Sequence, residues 1–186
     1  MAKAISVLTL VPVVAAVVVT WLFISMRESF ESIWWYIYSL VFLTIIPISA
    51  YPLKYLFPSI KQQGRKGERK LAFIMGVIGY TLGTLFCFIL NSPCIVRKIF
   101  LAYLFSGLVL SFVNKVVNLK ASGHACGISG PLTLLIYFSG WHTIWTLIIL
   151  PIVYWARKQL GRHTLKELIV GTLVGIFSTI LALIVA

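Results

Sequence analysis

The sequence contains no aspartate and only four acidic residues, against sixteen lysines and arginines. Charged residues make up 11% of the 186 positions, whereas 60% are hydrophobic, and the mean hydropathy is +1.01. So little charge excludes an ordinary soluble domain and a disordered tail. Because apolar spans carry charge only at high cost, the net charge of +12 must lie in short loops, which predicts an anionic partner or a membrane surface.

Cysteine is also scarce, and its spacing argues against two common structural roles. Cys87, Cys94 and Cys126 show no C-x-x-C spacing, so neither a disulfide framework nor a zinc ribbon is supported. Cys126 lies near His124, but no second cysteine or histidine has ligand spacing. We therefore predict free thiols and no metal site.

Long polar segments are rare, and apolar runs fill most of the chain. A helix needs about 20 apolar residues to cross the hydrocarbon core. The runs predict an all-α polytopic transmembrane bundle of about six to seven spans, forming a single domain over residues 1–186 within a bilayer. The expected spans are 5–25, 33–53, 71–90, 95–117, a short pair within 125–155 that is divided at Ser139-Gly140, and a last one ending at Ala186.

The basic residues are concentrated on one side of this topology. Seven crossings place the N-terminus and segments 54–70, 115–124 and 156–167 on the same side. That side holds every basic residue except Arg27, Arg97 and Lys98. The positive-inside rule therefore predicts a multi-pass cell-membrane protein whose basic side is cytoplasmic.

Two histidines lie at the edges of predicted spans on this basic side. His124 follows Ser122-Gly123, and His163 lies between Arg157 and Glu167. Ionisable groups at a membrane boundary are expensive unless they pair or line a wet cavity, which makes them site candidates. Two histidines can act as nucleophile and proton donor, a carboxylate can orient one of them, and nearby cations can neutralise a phosphate.

The spacing of these residues supports that division of roles. If the last helix starts near His163, Glu167 lies on the same face and can hold one imidazole nitrogen, leaving the other to attack. At the start of the fifth span, the Ser122 hydroxyl and the backbone N–H groups point toward an incoming anion. Gly123 lets the backbone approach that anion closely.

At these positions the chain resembles the type 2 phosphatidic acid phosphatase superfamily of membrane lipid phosphatases. The second motif of that family is P-S-G-H, and the chain has Ala121-Ser122-Gly123-His124. The third motif is S-R, five residues, H, three residues and D, and here it reads Ala156-Arg157, His163 and Glu167. This resemblance spans about residues 120–175.

The first motif of the family is K, six residues and R-P, and it is matched less well. Lys61 and Arg69 are one residue too far apart, and Lys70 stands where proline is expected. Lys66 or Lys120 is an alternative for the lysine. The motif-bearing core therefore covers about residues 54–175.

The resemblance implies a specific site chemistry. His163 is the implied nucleophile that forms a phosphohistidine, Glu167 orients it in place of aspartate, and His124 protonates the leaving group. The implied phosphate ligands are Ser122, Gly123, Arg157 and Arg69, with a lysine from Lys61, Lys66 or Lys120. No metal, cofactor or nucleic acid is implied, because fixed cations do the work of Mg²⁺.

The implied substrate is a lipid phosphate, namely phosphatidic acid, phosphatidylglycerophosphate or a polyprenyl diphosphate. Most members of the family carry the site on the side away from the cytosol, in conflict with the charge distribution above.

A non-catalytic carrier or binding protein for an anionic lipid is the alternative function. A Ser-His hydrolase through Ser122 is disfavoured, because a serine two residues from its own histidine rarely reaches the imidazole in line. His142 is expected to be an interfacial polar residue.

Overall fold

The computed structural model describes residues 1–186 except the side chain of Arg65, one of the basic residues of the polar segment 54–70. Within this described chain there is no β-strand, which confirms the predicted all-α class. The α-helices are α1 (Ala2–Leu8), α2 (Val11–Ser25), α3 (Ile33–Leu40), α4 (Ile46–Leu53), α5 (Pro58–Gln62), α6 (Gly64–Ile89), α7 (Cys94–Lys115), α8 (Gly123–Ser139), α9 (Ile149–Gln159) and α10 (Leu165–Val185). Shorter 3-10 segments (Arg27–Phe30, Lys54–Leu56, Trp141–Ile148) and a π-helix (Val41–Ile45) join them.

The protein is membrane-embedded, but fewer helices than expected have the length of a span. Four continuous helical stretches are long and apolar enough, namely Ile33–Leu56, Lys66–Ile89, Cys94–Lys115 and Leu165–Val185. The bent pair of α1 and α2 makes a fifth if it is counted as one span. The prediction of about six to seven spans is therefore somewhat too high, and the short pair within 125–155 accounts for the difference.

The short pair differs from spans because of its length and surroundings. Helix α8 has 17 residues and is enclosed by other helices, with residues 125–132 all buried. Gly140, with a φ of +92°, ends α8 as the predicted turn requires, and the chain then runs as a 3-10 helix over Trp141–Ile148 before α9 begins. Hydropathy alone does not separate an enclosed apolar helix from one that faces lipid.

Prolines explain two irregularities in the N-terminal half. The first expected span breaks between Leu8 and Val11, and the two helices meet at 55°, because Pro12 in the first turn of α2 has no N–H to continue the hydrogen bonding of α1. The π-helix Val41–Ile45 ends two residues before Pro47, whose ring clashes with the carbonyl four residues before it.

The polar segment 54–70 is helical and continues directly into a span. It contains the 3-10 turn Lys54–Leu56, α5 and the first turns of α6, which runs without a break for 26 residues. Helix α6 then returns through a turn at Asn91, with a φ of +51°, into α7. The expected spans 71–90 and 95–117 therefore form a hairpin, and the polar segment consists of short surface helices that lead into α6.

Helices α8 and α10 pack closely and run in the same direction from one end of the bundle. A Cβ at Gly171 would overlap the backbone of Ser122, and one at Gly175 would lie 2.6 Å from the carbonyl oxygen of Cys126. Further along, Gly130 faces the Thr179 hydroxyl. Small residues allow such close approach between membrane helices. Both helices thus begin at the same level, where the candidate site lies.

Candidate functional site

A backbone hydrogen bond joins the two motif-bearing segments. The N–H of Ser122, just before α8, donates to the carbonyl of Glu167 in the first turn of α10 at 2.9 Å. The adjacent contact between Gly171 and Ser122 permits this spacing. On the other side, the Tyr154 hydroxyl of α9 lies 2.6 Å from the hydroxyl of Thr172 in α10. The starts of α8 and α10 and the end of α9 therefore meet in one place.

His163 and Glu167 form the contact that their spacing predicts. Helix α10 begins after Thr164, whose side chain accepts from the N–H of Glu167 in a capping box. The carboxylate of Glu167 lies 2.6 Å from Nδ1 of His163, whose side chain is only 4% exposed. Because a carboxylate only accepts, Nδ1 carries the proton, and Nε2 of the neutral ring bears the lone pair.

The surroundings favour the neutral form of His163. Burial lowers the pKa of His163 below its ordinary value, since the charged ring would lose its hydration, while the Glu167 hydrogen bond opposes this shift. The positive charge of Arg157 lowers the pKa further. A neutral imidazole with an oriented ring is the form that can act as a nucleophile.

Two guanidinium groups converge on one oxygen atom beside these histidines. Nη1 of Arg157, in the last turn of α9, donates to the Ser6 hydroxyl at 3.0 Å, and Nη1 of Arg162 donates to the same oxygen at 2.8 Å. Arg157 is 3% exposed and Ser6 is 4% exposed. Helix α1 thus inserts a polar side chain into the basic end of the bundle.

His124 also contacts Ser6, through the backbone. Its Nε2 lies 3.3 Å from the carbonyl oxygen of Ser6, so Nε2 carries the proton and donates. Burial lowers the pKa of His124 to about 3, and the nearby charges of Arg157 and Arg162 act in the same direction. His124 is therefore neutral near pH 7 unless an anion joins it.

These side chains line one end of a cavity of about 610 Å³. Its wall carries the charged and imidazole side chains of Lys3, Glu68, Arg69, His124, Arg157, Arg162 and His163, together with the Ser6 hydroxyl. The wall continues along α8 to Pro131 and Leu134, which lie about 10–15 Å beyond His124 at the rise of an α-helix. A charged mouth therefore leads into a mainly apolar interior formed by α2, α4, α6, α7 and α8, whose wall also includes Ser106 and Thr179.

Of the other predicted phosphate ligands, Arg69 and Gly123 line the cavity, whereas the rest lie elsewhere. Ser122 is fully buried, and its hydroxyl caps α8 by accepting from the N–H of Ala125. Lys120 is largely exposed and lies 3.7 Å from the Glu167 carboxylate. Lys61 and Lys66 are exposed and do not belong to the cavity wall. His142 is also exposed, at the far end of α8.

Ser6 is a site residue that the sequence did not predict, and Arg162 is one for which it predicted no individual role. Ser6 is a single hydroxyl in an apolar run, and no local pattern distinguishes it. Arg162 precedes His163 directly, and its adjacency to a candidate nucleophile is a usable signal. Ser6 contacts both arginines only because α1 packs against α9, which is a tertiary contact.

The chemistry of the site suits an anion rather than a metal ion. Among the side chains that the structure describes, no group of three or more His, Cys, Asp and Glu residues is placed to hold a metal. Arg69, Arg157 and Arg162 instead line the cavity beside two neutral histidines. Comparisons of the chain with protein-family models, curated proteins and solved structures find no match.

Proposed function

We propose that this protein is a membrane lipid phosphatase that hydrolyses a phosphomonoester or diphosphate of a lipid through a phosphohistidine, without a metal ion. The observation that carries the proposal is the 2.6 Å contact of His163 with Glu167 in the wall of a cavity that also presents His124 and Arg157. This arrangement supplies an oriented nucleophile, a second imidazole and fixed positive charge. The helical-bundle fold does not by itself indicate phosphatase activity, because helical bundles host many functions.

In the first step, Nε2 of His163 attacks the phosphorus atom of the lipid phosphate. The P–N bond forms as the bond to the lipid oxygen, or to the bridging oxygen of a diphosphate, breaks and that oxygen keeps the electron pair. His124 donates a proton to this leaving oxygen. Glu167 holds the Nδ1 proton and stabilises the positive charge that develops on the ring.

In the second step, a water molecule attacks the phosphorus atom of the phosphohistidine. His124, now lacking the proton it gave away, accepts a proton from the attacking water. The P–N bond breaks, His163 regains its lone pair, and inorganic phosphate leaves. Arg157 stabilises the phosphoryl oxygens in both steps, which is the role a metal ion plays elsewhere.

The substrate phosphate also explains how His124 becomes an acid. In the free site burial and neighbouring cations keep this imidazole neutral, with a pKa lowered to about 3. A bound phosphate adds negative charge within the same cavity and raises the pKa of His124, since an opposite charge favours the protonated form. Binding of the substrate thus favours the protonated form of His124, which is the form that can act as a general acid.

The shape of the cavity favours a lipid over a soluble phosphate ester. The charged mouth holds a headgroup, and the apolar wall along α8 and α6 can surround the adjoining part of a hydrocarbon tail. Phosphatidic acid, phosphatidylglycerophosphate and polyprenyl diphosphate all meet this description. We further propose that the mouth faces the cytoplasm, where the basic residues of membrane proteins accumulate.

The decisive experiment measures phosphate release from these three lipids by the full chain in detergent with EDTA. We expect metal-independent release by the wild type, at least about 10³-fold less by His163→Ala, and no loss by His142→Ala, an exposed histidine outside the cavity. A radiolabelled substrate should also leave an acid-labile label on the wild type.

A different result would support the carrier alternative. A carrier binds the same lipids in the same cavity without breaking a bond, and loss of the His163 nucleophile leaves it working. Binding of a lipid by wild type and His163→Ala alike, with no release by either, would overturn the phosphatase proposal.

A further inference from the structure

The convergence of two arginines on Ser6 defines a point in space where an oxygen atom is held. Arg157 and Arg162 both donate through Nη1 to the Ser6 oxygen, at 3.0 and 2.8 Å. A hydroxyl oxygen has two lone pairs, so these two bonds use its whole accepting capacity. The two side chains reach this point from different elements, the end of α9 and the turn before α10.

A phosphoryl oxygen suits this point better than a hydroxyl oxygen does. The bonds to Ser6 pair each guanidinium with a neutral hydroxyl, whereas a phosphoryl oxygen carries negative charge and adds Coulomb attraction to both hydrogen bonds. The point lies on the cavity wall with His124 and His163, within the region that a headgroup must reach. The Ser6 oxygen therefore stands where an oxyanion would form the same two bonds with more energy.

We propose that Arg162 and Arg157 form an oxyanion clamp for the substrate phosphate, and that Ser6 of α1 occupies this clamp until the phosphate displaces it. The proposal rests on the proposed function for the identity of the anion. It adds Arg162 as a phosphate-binding residue, which compensates for the weakly matched first motif. It also makes α1 a movable cap over the site.

The architecture of α1 fits a cap. The helix has only seven residues and is separated from α2 by a 55° bend at Thr9 and Leu10, so its movement need not disturb the longer helix. The backbone carbonyl oxygen of Ser6 also accepts a hydrogen bond from Nε2 of His124. Displacement of Ser6 therefore releases Nη1 of Arg157, Nη1 of Arg162 and Nε2 of His124 from their bonds to Ser6 together.

A cap of this kind lowers the apparent affinity for phosphate. A ligand that binds only the open form loses affinity in proportion to the fraction of molecules that are open. Removal of the Ser6 hydroxyl destabilises the closed form, in which it binds both arginines, and leaves the phosphate-binding side chains unchanged. Loss of the Ser6 hydroxyl should therefore strengthen phosphate binding, whereas loss of the Arg162 guanidinium should weaken it.

The experiment is calorimetric titration of the full chain in detergent with inorganic phosphate. We expect Ser6→Ala to bind phosphate about threefold or more tightly than the wild type, and Arg162→Gln to bind at least about tenfold more weakly. Arg162→Lys keeps the charge but not the guanidinium fork and should lie between them. The matched control is Arg27→Gln, which removes one guanidinium beyond the far end of α2 and should bind as the wild type does.

The outcomes separate this proposal from the phosphatase proposal. Phosphate binding that follows the expected order, with no lipid hydrolysis by any variant, supports the clamp and overturns the enzyme. Lipid hydrolysis with equal phosphate affinity of Arg162→Gln and Arg27→Gln overturns the clamp and leaves the enzyme. Absence of phosphate binding by the wild type and by Ser6→Ala overturns the clamp, and unchanged affinity of Ser6→Ala overturns the cap.

Discussion

The hydrogen bond between His163 and Glu167 sets both the orientation and the protonation of the proposed nucleophile. The carboxylate fixes the proton on Nδ1 and raises the pKa of His163, while burial and the charges of Arg157 and Lys120 lower it. Burial is the largest of these effects, so the pKa lies below its ordinary value. The nucleophile is therefore neutral over a wider acidic range than an exposed histidine.

Replacement of Glu167 by glutamine should change the pH profile as well as the rate. Without the carboxylate, the remaining influences lower the pKa of His163 further, so the acid limb of kcat/KM should move to lower pH. The maximal rate should fall by about 10²-fold or more, because the developing positive charge on the ring loses its counter-ion. Initial-rate measurements from about pH 4 to 8 in detergent check both effects.

Glu28→Gln is the matched control for this profile. Glu28 is exposed in the 3-10 turn Arg27–Phe30, outside the cavity, and its substitution should change neither the rate nor the acid limb. A slower Glu167→Gln enzyme with an unshifted acid limb would contradict the assignment of the limb to His163. The rate loss would then report only a change in packing.

At the level of helices, the contact between α8 and α10 holds the site together. Gly171 and Gly175 form a G-x-x-x-G pattern on α10, and both lie against the α8 segment. A Cβ at Gly175 would lie 2.6 Å from the Cys126 carbonyl oxygen and 3.0 Å from the Gly130 nitrogen. These neighbours are backbone atoms, so they cannot move aside as a flexible side chain would.

Gly175→Ala should therefore force α8 and α10 apart. Overpacking of this kind costs about 1–3 kcal/mol, which should lower the unfolding temperature in detergent by several degrees. Activity should also fall, because the Ser122 to Glu167 backbone bond aligns the two motifs. The matched control is Gly107→Ala in α7, where the added Cβ would have Tyr80 as its near neighbour at 3.8 Å, an ordinary contact. Equal unfolding temperatures for the two variants would refute this explanation.

Local spacing predicted the parts of the structure that depend on one helix or one turn. The four-residue separation of His163 and Glu167, the turn at Gly140 and the hairpin at Asn91 all follow from such spacing. The number of spans and the part played by Ser6 depend instead on which helices enclose α8 and on the packing of α1 against α9. Hydropathy reports neither, because lipid and a protein interior are similarly apolar surroundings.

At the level of the whole molecule, the bundle has two chemically different ends. The site end carries the polar helices α5 and the start of α6, together with the cavity mouth. Helix α6 spans about 39 Å from there to the turn at Asn91, which precedes α7. Among the basic residues whose side chains the structure describes, the far end holds Arg27, Arg97 and Lys98. The charge asymmetry favours a cytoplasmic site end.

A native thiol tests this orientation directly. Cys94 is exposed at the start of α7, at the far end, whereas Cys87 and Cys126 are buried. If the site end is cytoplasmic, a membrane-impermeant maleimide added to intact cells should label wild-type protein at Cys94. A Cys94→Ser, Gln62→Cys variant, with its exposed thiol moved to α5 at the site end, should be labelled only after permeabilisation. The reverse pattern would place the mouth of the cavity outside the cytoplasm, so that the basic cluster would have to be explained by the binding of an anionic lipid rather than by topology.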